Sequence, residues 1–294
     1  MSPRPFSRQL SSLAAAFETI RISHSVFALP FALASLLLVT HGRPPLRVFL
    51  WVLIAMVSAR SAAMAFNRWS DQHFDRMNPR TRDRALPAGR ISAGFLLSFA
   101  VAWMAVFVLA AFRLNPLCGM LSPVALVLVL GYSLTKRFTL LCHLFLGAAL
   151  GLSPLGAWLA VTGRVDHTLL TPLAISLGVL FWVAAFDVLY ALQDIEFDRR
   201  MGLFSIPSRL GPTSAARVAA GFSTLSLVAF SSLLLTADLS VSYGCALAVI
   251  ALILTLVLRR VLCGRTPRKN AGVLTANLWI GPLFLAGVAG EIYG

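Results

Sequence analysis

Apolar residues run along this chain in long blocks, broken at fairly regular intervals by short polar segments. Nine blocks come close to the roughly 20 mostly apolar residues that a helix needs to cross the hydrocarbon of a bilayer. They cover residues 17–40, 47–66, 92–112, 116–133, 142–161, 168–190, 215–236, 240–258 and 272–291. The pattern predicts an all-α fold, a polytopic membrane protein of nine transmembrane helices around a central apolar cavity. Connections are short, so 1–294 reads as one transmembrane domain, with residues 1–16 as a cytoplasmic lead-in.

Composition agrees with that reading. Of 294 residues 58% are hydrophobic and only 12% charged, and the mean hydropathy is +0.82, far from the balance of a soluble globular domain. A net charge of +14 suggests nucleic acid until it is placed loop by loop. With the N-terminus in the cytoplasm, 20 of the 25 Lys and Arg residues fall on the cytoplasmic side, and four (Arg43, Arg47, Arg113 and Arg164) on the other. That bias is the positive-inside rule at work. It puts the C-terminus outside and makes nucleic-acid binding unnecessary. Four cysteines, with no Cys-x-x-Cys pair, read as small core residues.

The acidic residues carry the chemistry. Asn67, Asp71 and Asp75 are spaced i, i+4, i+8, which puts three oxygen-bearing side chains on one helical face at the mouth of an apolar span. Asp194-Ile-Glu-Phe-Asp198-Arg repeats Asp71-Gln-His-Phe-Asp75-Arg in register, 123 residues later. Six of the eleven Asp and Glu residues fall in and beside these two segments. An even number of spans separates them, so both motif helices run the same way, which suggests a parallel internal repeat. Clustered carboxylates repel unless a cation sits between them, and Mg²⁺ takes one or two carboxylates per ion together with water and substrate phosphate. The pair of segments therefore reads as a metal and phosphate site on the cytoplasmic face.

Basic residues surround it. Residues 76–91 form a flexible, arginine-dense loop that includes Arg84 and suits a diphosphate, since Arg binds phosphate through a two-pronged fork; ordinary topology explains the same charges. Lys136 and Arg137 close the fourth span. Arg60 lies seven residues before Asn67, about 10 Å deeper at 1.5 Å per residue, on the same face. Asp187, Tyr190, Asp194 and Asp198 form a second stripe, with Asp187 at a depth similar to Arg60. The two suggest a polar floor beneath the metal site, and Arg60 either serves a ligand, snorkels, or pairs with Asp187. His24 reads as a structural or pocket-lining residue.

With these residues in view, the chain resembles the UbiA superfamily of membrane prenyltransferases. The signature motifs match Asn67-x-x-x-Asp71-x-x-x-Asp75 and Asp187-x-x-Tyr190-x-x-x-Asp194-x-x-x-Asp198, and Tyr132-Ser133-x-x-Lys136-Arg137 looks like a third segment, with Ser133 where Pro is common. Arg21 to His24, Phe27 to Phe31 and Tyr190 to Asp194 look most like 4-hydroxybenzoate polyprenyltransferases, in particular the branch in bacteria that make menaquinone by the futalosine route. Arg68 departs from that pattern, where many hydroxybenzoate enzymes carry Asp.

The resemblance implies Mg²⁺-dependent transfer of a polyprenyl group from polyprenyl diphosphate to an aromatic acid in ubiquinone or menaquinone biosynthesis. The setting implied is a bacterial inner membrane, with no obligate protein partner. It implies metal ligation by Asn67, Asp71, Asp75, Asp194 and Asp198, and diphosphate contacts from Arg84, Lys136 and Arg137. Arg60, Asp187 and Tyr190 would bind the aromatic acid, and Asp71, Asp75, Asp187, Asp194 and Asp198 would take part in catalysis. Other acceptors, haem or a chlorophyll-like ring, remain open in the superfamily. A transporter with Arg60 and Asp187 as a relay is the competing class; against it, the carboxylates cluster at one membrane face rather than at the midplane.

Overall fold

The computed structural model describes residues 27–262 and 276–294, and all regular structure among them is helical. In chain order the helices are α1 (Leu29–Val39), α2 (Leu46–Ser70), α3 (Gln72–Met77), α4 (Ala93–Leu114), α5 (Pro116–Thr135), α6 (Cys142–Thr162), α7 (Leu170–Ala191), α8 (Ile195–Arg200), α9 (Ile206–Ser231), α10 (Leu233–Thr236), α11 (Val241–Leu262) and α12 (Ile280–Tyr293). Seven helical stretches are long and apolar enough to cross a membrane, where nine spans are expected. The shorter apolar helices α1 and α12 stand at the expected first and ninth spans. The beginnings of those two spans, the lead-in 1–16, Arg21 to His24 and Cys263 lie outside the described residues.

Helix α1 packs on α6 and α12, α12 on α11, α11 on α9, α9 on α7 and α7 on α6, while α2, α4 and α5 pack on one another and α5 on α6. Phe31, Trp182, Phe230, Tyr243 and Phe284 fill the core between α1, α7, α9, α11 and α12. Phe31 stacks on Phe230 with ring centroids 5.7 Å apart, and Tyr243 Oη donates to the Phe230 carbonyl at 2.9 Å, so the buried phenol is satisfied. Val101, Leu109, Phe112, Val124 and Val127 are exposed instead, an apolar exterior suited to lipid as solvent.

Pro123 and Pro154 sit inside spans, and each frees the carbonyl four residues before it. In both, the serine just ahead supplies the missing donor: Ser122 Oγ donates to Gly119 O at 2.7 Å beside Pro123, and Ser153 Oγ to Leu150 O at 2.8 Å beside Pro154. In hydrocarbon an unpaired carbonyl costs several kcal/mol, so these serines keep α5 and α6 helical. Helices α6 and α7 approach at backbone contact. A methyl at Gly147 would overlap the Leu180 carbonyl oxygen, and one at Gly151 would stand 2.7 Å from Ser176 O.

Both acidic segments straddle a break, which corrects the expectation of one continuous helical stripe in each. Helix α2 ends at Ser70, and Asp71 (φ −91°, ψ 6°) joins it to α3. A short 3₁₀ turn, Leu192–Asp194, joins α7 to α8, with Asp194 at φ −109°, ψ 7°. Neither break needs Gly or Pro. At the first, Ser70 Oγ donates to Asn67 O at 3.1 Å, the local side-chain competition that loosens a last helical turn. Of the described cysteines only Cys142 is buried; Cys118 is half-buried and Cys245 exposed, so the last is a membrane-facing rather than a core residue.

Candidate active site

The two breaks meet at one end of the helices, joined by ion pairs. Asp75, on α3, is buried and receives Arg84 Nη1 on both oxygens, at 2.8 and 3.0 Å. Asn67 Nδ2 donates to Asp71 Oδ2 at 3.1 Å. Arg137 Nη2 lies 3.5 Å from Asp71 Oδ1 and donates to Ser70 O at 2.8 Å. On the other motif, Asp198 is fully buried, with Lys136 Nζ 2.8 Å from Oδ1 and Ser205 Oγ donating to Oδ2 at 2.9 Å. The sequence-adjacent Lys136 and Arg137 are thus divided, one to each motif.

The arginine-dense loop is anchored rather than flexible. Thr81 Oγ1 donates to Asp75 O at 3.0 Å, Asn78 Oδ1 accepts from the Arg80 N–H at 2.9 Å, and Ala85, Leu86 and Ile91 pack against Ala65 and Leu96. That fold aims Arg80 across the site: Nε and Nη2 donate to Asp194 at 3.1 and 2.6 Å, and Nη1 to Tyr190 Oη at 2.9 Å. Arg80 is one arginine among several in the loop, and nothing in its spacing marks it out. Arg68 turns inward, 4.0 Å from Asp75, and adds positive charge beside the first motif.

The paired charges also shift one another's protonation. Burial first, then the Asp75 charge, push the Asp71 carboxyl above its ordinary range, against the pull of Arg137. Burial works against the charged forms of Lys136 and Arg80, yet Asp198 and Asp194 outweigh it and raise both.

Deeper, the expected floor has different partners. Asp187 Oδ2 lies 2.7 Å from His143 Nδ1 on α6, while Arg60 Nε is buried with no hydrogen-bond partner. The depth arithmetic put Arg60 and Asp187 in one layer, but the nearer imidazole takes the carboxylate. His143 is a lone histidine at the start of an apolar run, and no spacing ties it to Asp187.

No three His, Cys, Asp or Glu side chains converge on one point among the described residues. The donors are nonetheless hard oxygens, and Asp71 stays 30% exposed. One or two carboxylates per ion, completed by phosphate and water, is the Mg²⁺ habit, and Asn67, Asp71, Asp75, Asp194 and Asp198 fit it.

The UbiA prenyltransferase family profile matches residues 28–281. The chain is 32% identical over 254 residues to the 4-hydroxybenzoate octaprenyltransferase of Nitrosomonas europaea, covering 85% of this chain and 84% of that protein. It is 31% identical to the enzyme of the same name from Idiomarina loihiensis over 259 residues, 87% and 88% of the two chains. Among solved structures, a UbiA homolog from Aeropyrum pernix in its apo form superposes with a TM-score of 0.84 at 32% identity, over 92% of this chain and 98% of that one. A UbiA homolog from Archaeoglobus fulgidus bound to DMAPP and Mg²⁺ shares the fold, with a TM-score of 0.73 at 20% identity over 94% and 98%. With its helices and paired acidic motifs accounted for, the chain belongs to the UbiA prenyltransferase family and is a membrane prenyltransferase.

Proposed function

We propose that the protein transfers a polyprenyl group from polyprenyl diphosphate to an aromatic acid, 4-hydroxybenzoate or a related naphthoate, in quinone biosynthesis. The reaction takes place at the cytoplasmic face of a bacterial inner membrane, within a single domain spanning the chain. The observation that carries this reading is the pairing at one membrane face: four aspartates, each beside its own cation, above an arginine whose Nε has no partner. The names of the relatives support the substrate class, and the Archaeoglobus fulgidus structure supports the diphosphate and metal.

Asn67, Asp71, Asp75, Asp194 and Asp198 would hold Mg²⁺, which would offset the charge that develops on the diphosphate as the allylic C–O bond ionises. Arg84, Lys136 and Arg137, joined by Arg80, would hold the leaving diphosphate through charge-assisted bonds. Apolar walls exclude the water that would quench an allyl cation, and the prenyl tail leaves sideways between helices into lipid. Arg60 pairs with the acceptor carboxylate, answering its own unpartnered Nε. Tyr190 and Asp187 orient the ring so that a carbon ortho to the phenol attacks, and Asp187 accepts the displaced ring proton.

The test is a membrane assay with radiolabelled prenyl diphosphate, with and without Mg²⁺, offering 4-hydroxybenzoate and a futalosine-pathway naphthoate in parallel. Mg²⁺-dependent labelling of one acid is expected, abolished by Asp71→Ala and by Asp194→Ala in folded protein. Near-normal turnover by either variant would overturn the metal and diphosphate assignment.

A further inference from the structure

Beyond the motifs, one buried contact joins the two ends of the site. His143, the second residue of α6, is 1% exposed. Its Nε2 accepts the Ile206 backbone N–H at 3.2 Å, so the proton of the neutral ring sits on Nδ1, which donates to Asp187 Oδ2 at 2.7 Å. Ile206 opens α9, and that turn is itself fixed: Ser205 and Ser208 form a reciprocal capping box. The hydroxyl of Ser205 reaches on to Asp198. Two further bonds stitch the same loops together, Phe204 N–H to Lys136 O at 2.8 Å and Cys142 Sγ to Phe204 O at 3.5 Å. One helix N-terminus therefore braces Asp198 directly and Asp187 through an imidazole. The imidazole bonds only Oδ2 of Asp187, and the side chain is 29% exposed.

We infer that His143 is a positioning residue for Asp187: it fixes the rotamer that keeps one carboxylate oxygen bonded and the other open to the acceptor. This rests on the reading of Asp187 as an acceptor-site group. An acid held by a single-donor bond keeps its orientation without losing its free oxygen, and misplacement by about 1 Å costs on the order of a hundredfold. The alternative, that His143 merely ties α6 to α9, would need only the Ile206 bond.

Two variants separate these roles. In His143→Asn the introduced amide nitrogen stands near the place of Nδ1 and donates to Asp187; in His143→Gln the introduced carbonyl reaches the place of Nε2 and accepts from Ile206. With geranyl diphosphate, 4-hydroxybenzoate and Mg²⁺, His143→Gln and His143→Ala are expected to lose about tenfold to a hundredfold in kcat/KM for the acid, with KM for the diphosphate within about twofold of the parent. His143→Asn is expected to recover most of that loss. Adding His143→Ala to Asp187→Asn is expected to cost no more than Asp187→Asn alone. Recovery by Gln but not Asn, or full additivity, would overturn the inference. Normal turnover by Asp187→Asn would remove the role of Asp187 itself, and the inference with it, a result told apart by that variant alone.

Discussion

Removing Lys136 tests whether the paired charges are a strained, mutually dependent unit. Asp198 is fully buried and has two partners, Lys136 at 2.8 Å and the Ser205 hydroxyl at 2.9 Å. Lys136→Met keeps an unbranched side chain of similar length and deletes the charge. At 2.8 Å and an effective dielectric of about 20 the lost attraction is about 6 kcal/mol, and regained solvation of the carboxylate returns part of it. Stranding one member of a buried pair costs about 3–5 kcal/mol. Lys136 is 34% exposed, so water reaches its place, and the lower end, about 3 kcal/mol, is expected. That is roughly a hundredfold in the unfolding equilibrium. The readout is reversible SDS unfolding in mixed micelles, followed by tryptophan fluorescence, for the parent, Lys136→Met, Asp198→Asn and the double variant. Neutralising Asp198 as well should recover most of the loss, leaving the double variant within about 1 kcal/mol of Asp198→Asn. A Lys136→Met protein within about 0.5 kcal/mol of the parent, or a double variant with additive losses, would refute the reasoning.

The Asp71 carboxyl, raised by burial and Asp75, holds its proton in the folded protein over a window just above the ordinary carboxylate range, where the unfolded chain has released it. Stability of the metal-free protein should therefore fall as pH rises through that window, while Mg²⁺-dependent turnover rises, and Asp71→Asn should flatten the first trend and abolish the second. Arg60→Ala should raise KM for the aromatic acid at least about tenfold while changing KM for the prenyl diphosphate less than about threefold; the reverse order in steady-state kinetics would move Arg60 out of the acceptor site. Arg80→Ala frees Asp194 and Tyr190 and should cut kcat about tenfold or more, with KM for the diphosphate rising alongside. EDTA should stop turnover, and Mg²⁺ should restore it.

The apolar blocks and the doubled acidic motif are legible in one dimension because they depend on period and composition alone. Asn67, Asp71, Asp75, Asp194 and Asp198 all come to one end, as their spacing implies. What the spacing hides is the helix break at Asp71 and at Asp194, where no Gly or Pro marks it. Pairing was equally hidden. Lys136 and Arg137 are neighbours in sequence but serve opposite motifs, since consecutive residues leave a helix end in different directions. Asp187 meets His143 rather than Arg60 because the partner comes from a helix 44 residues away, a distance no local pattern encodes.

The contact of α6 with α7 at Gly147 and Gly151 gives that hidden pair its dimension. At Gly147 the nearest facing atoms are all Leu180 backbone, so at that point there is no rotamer through which the gap could widen or narrow. Gly147 stands one turn from His143, and Leu180 about two turns from Asp187, which makes the glycine contact a fixed gauge for the imidazole and the carboxylate. One methyl group at position 147, carrying no charge, would have to push these backbones apart, and with them the imidazole and the carboxylate held one and two turns away.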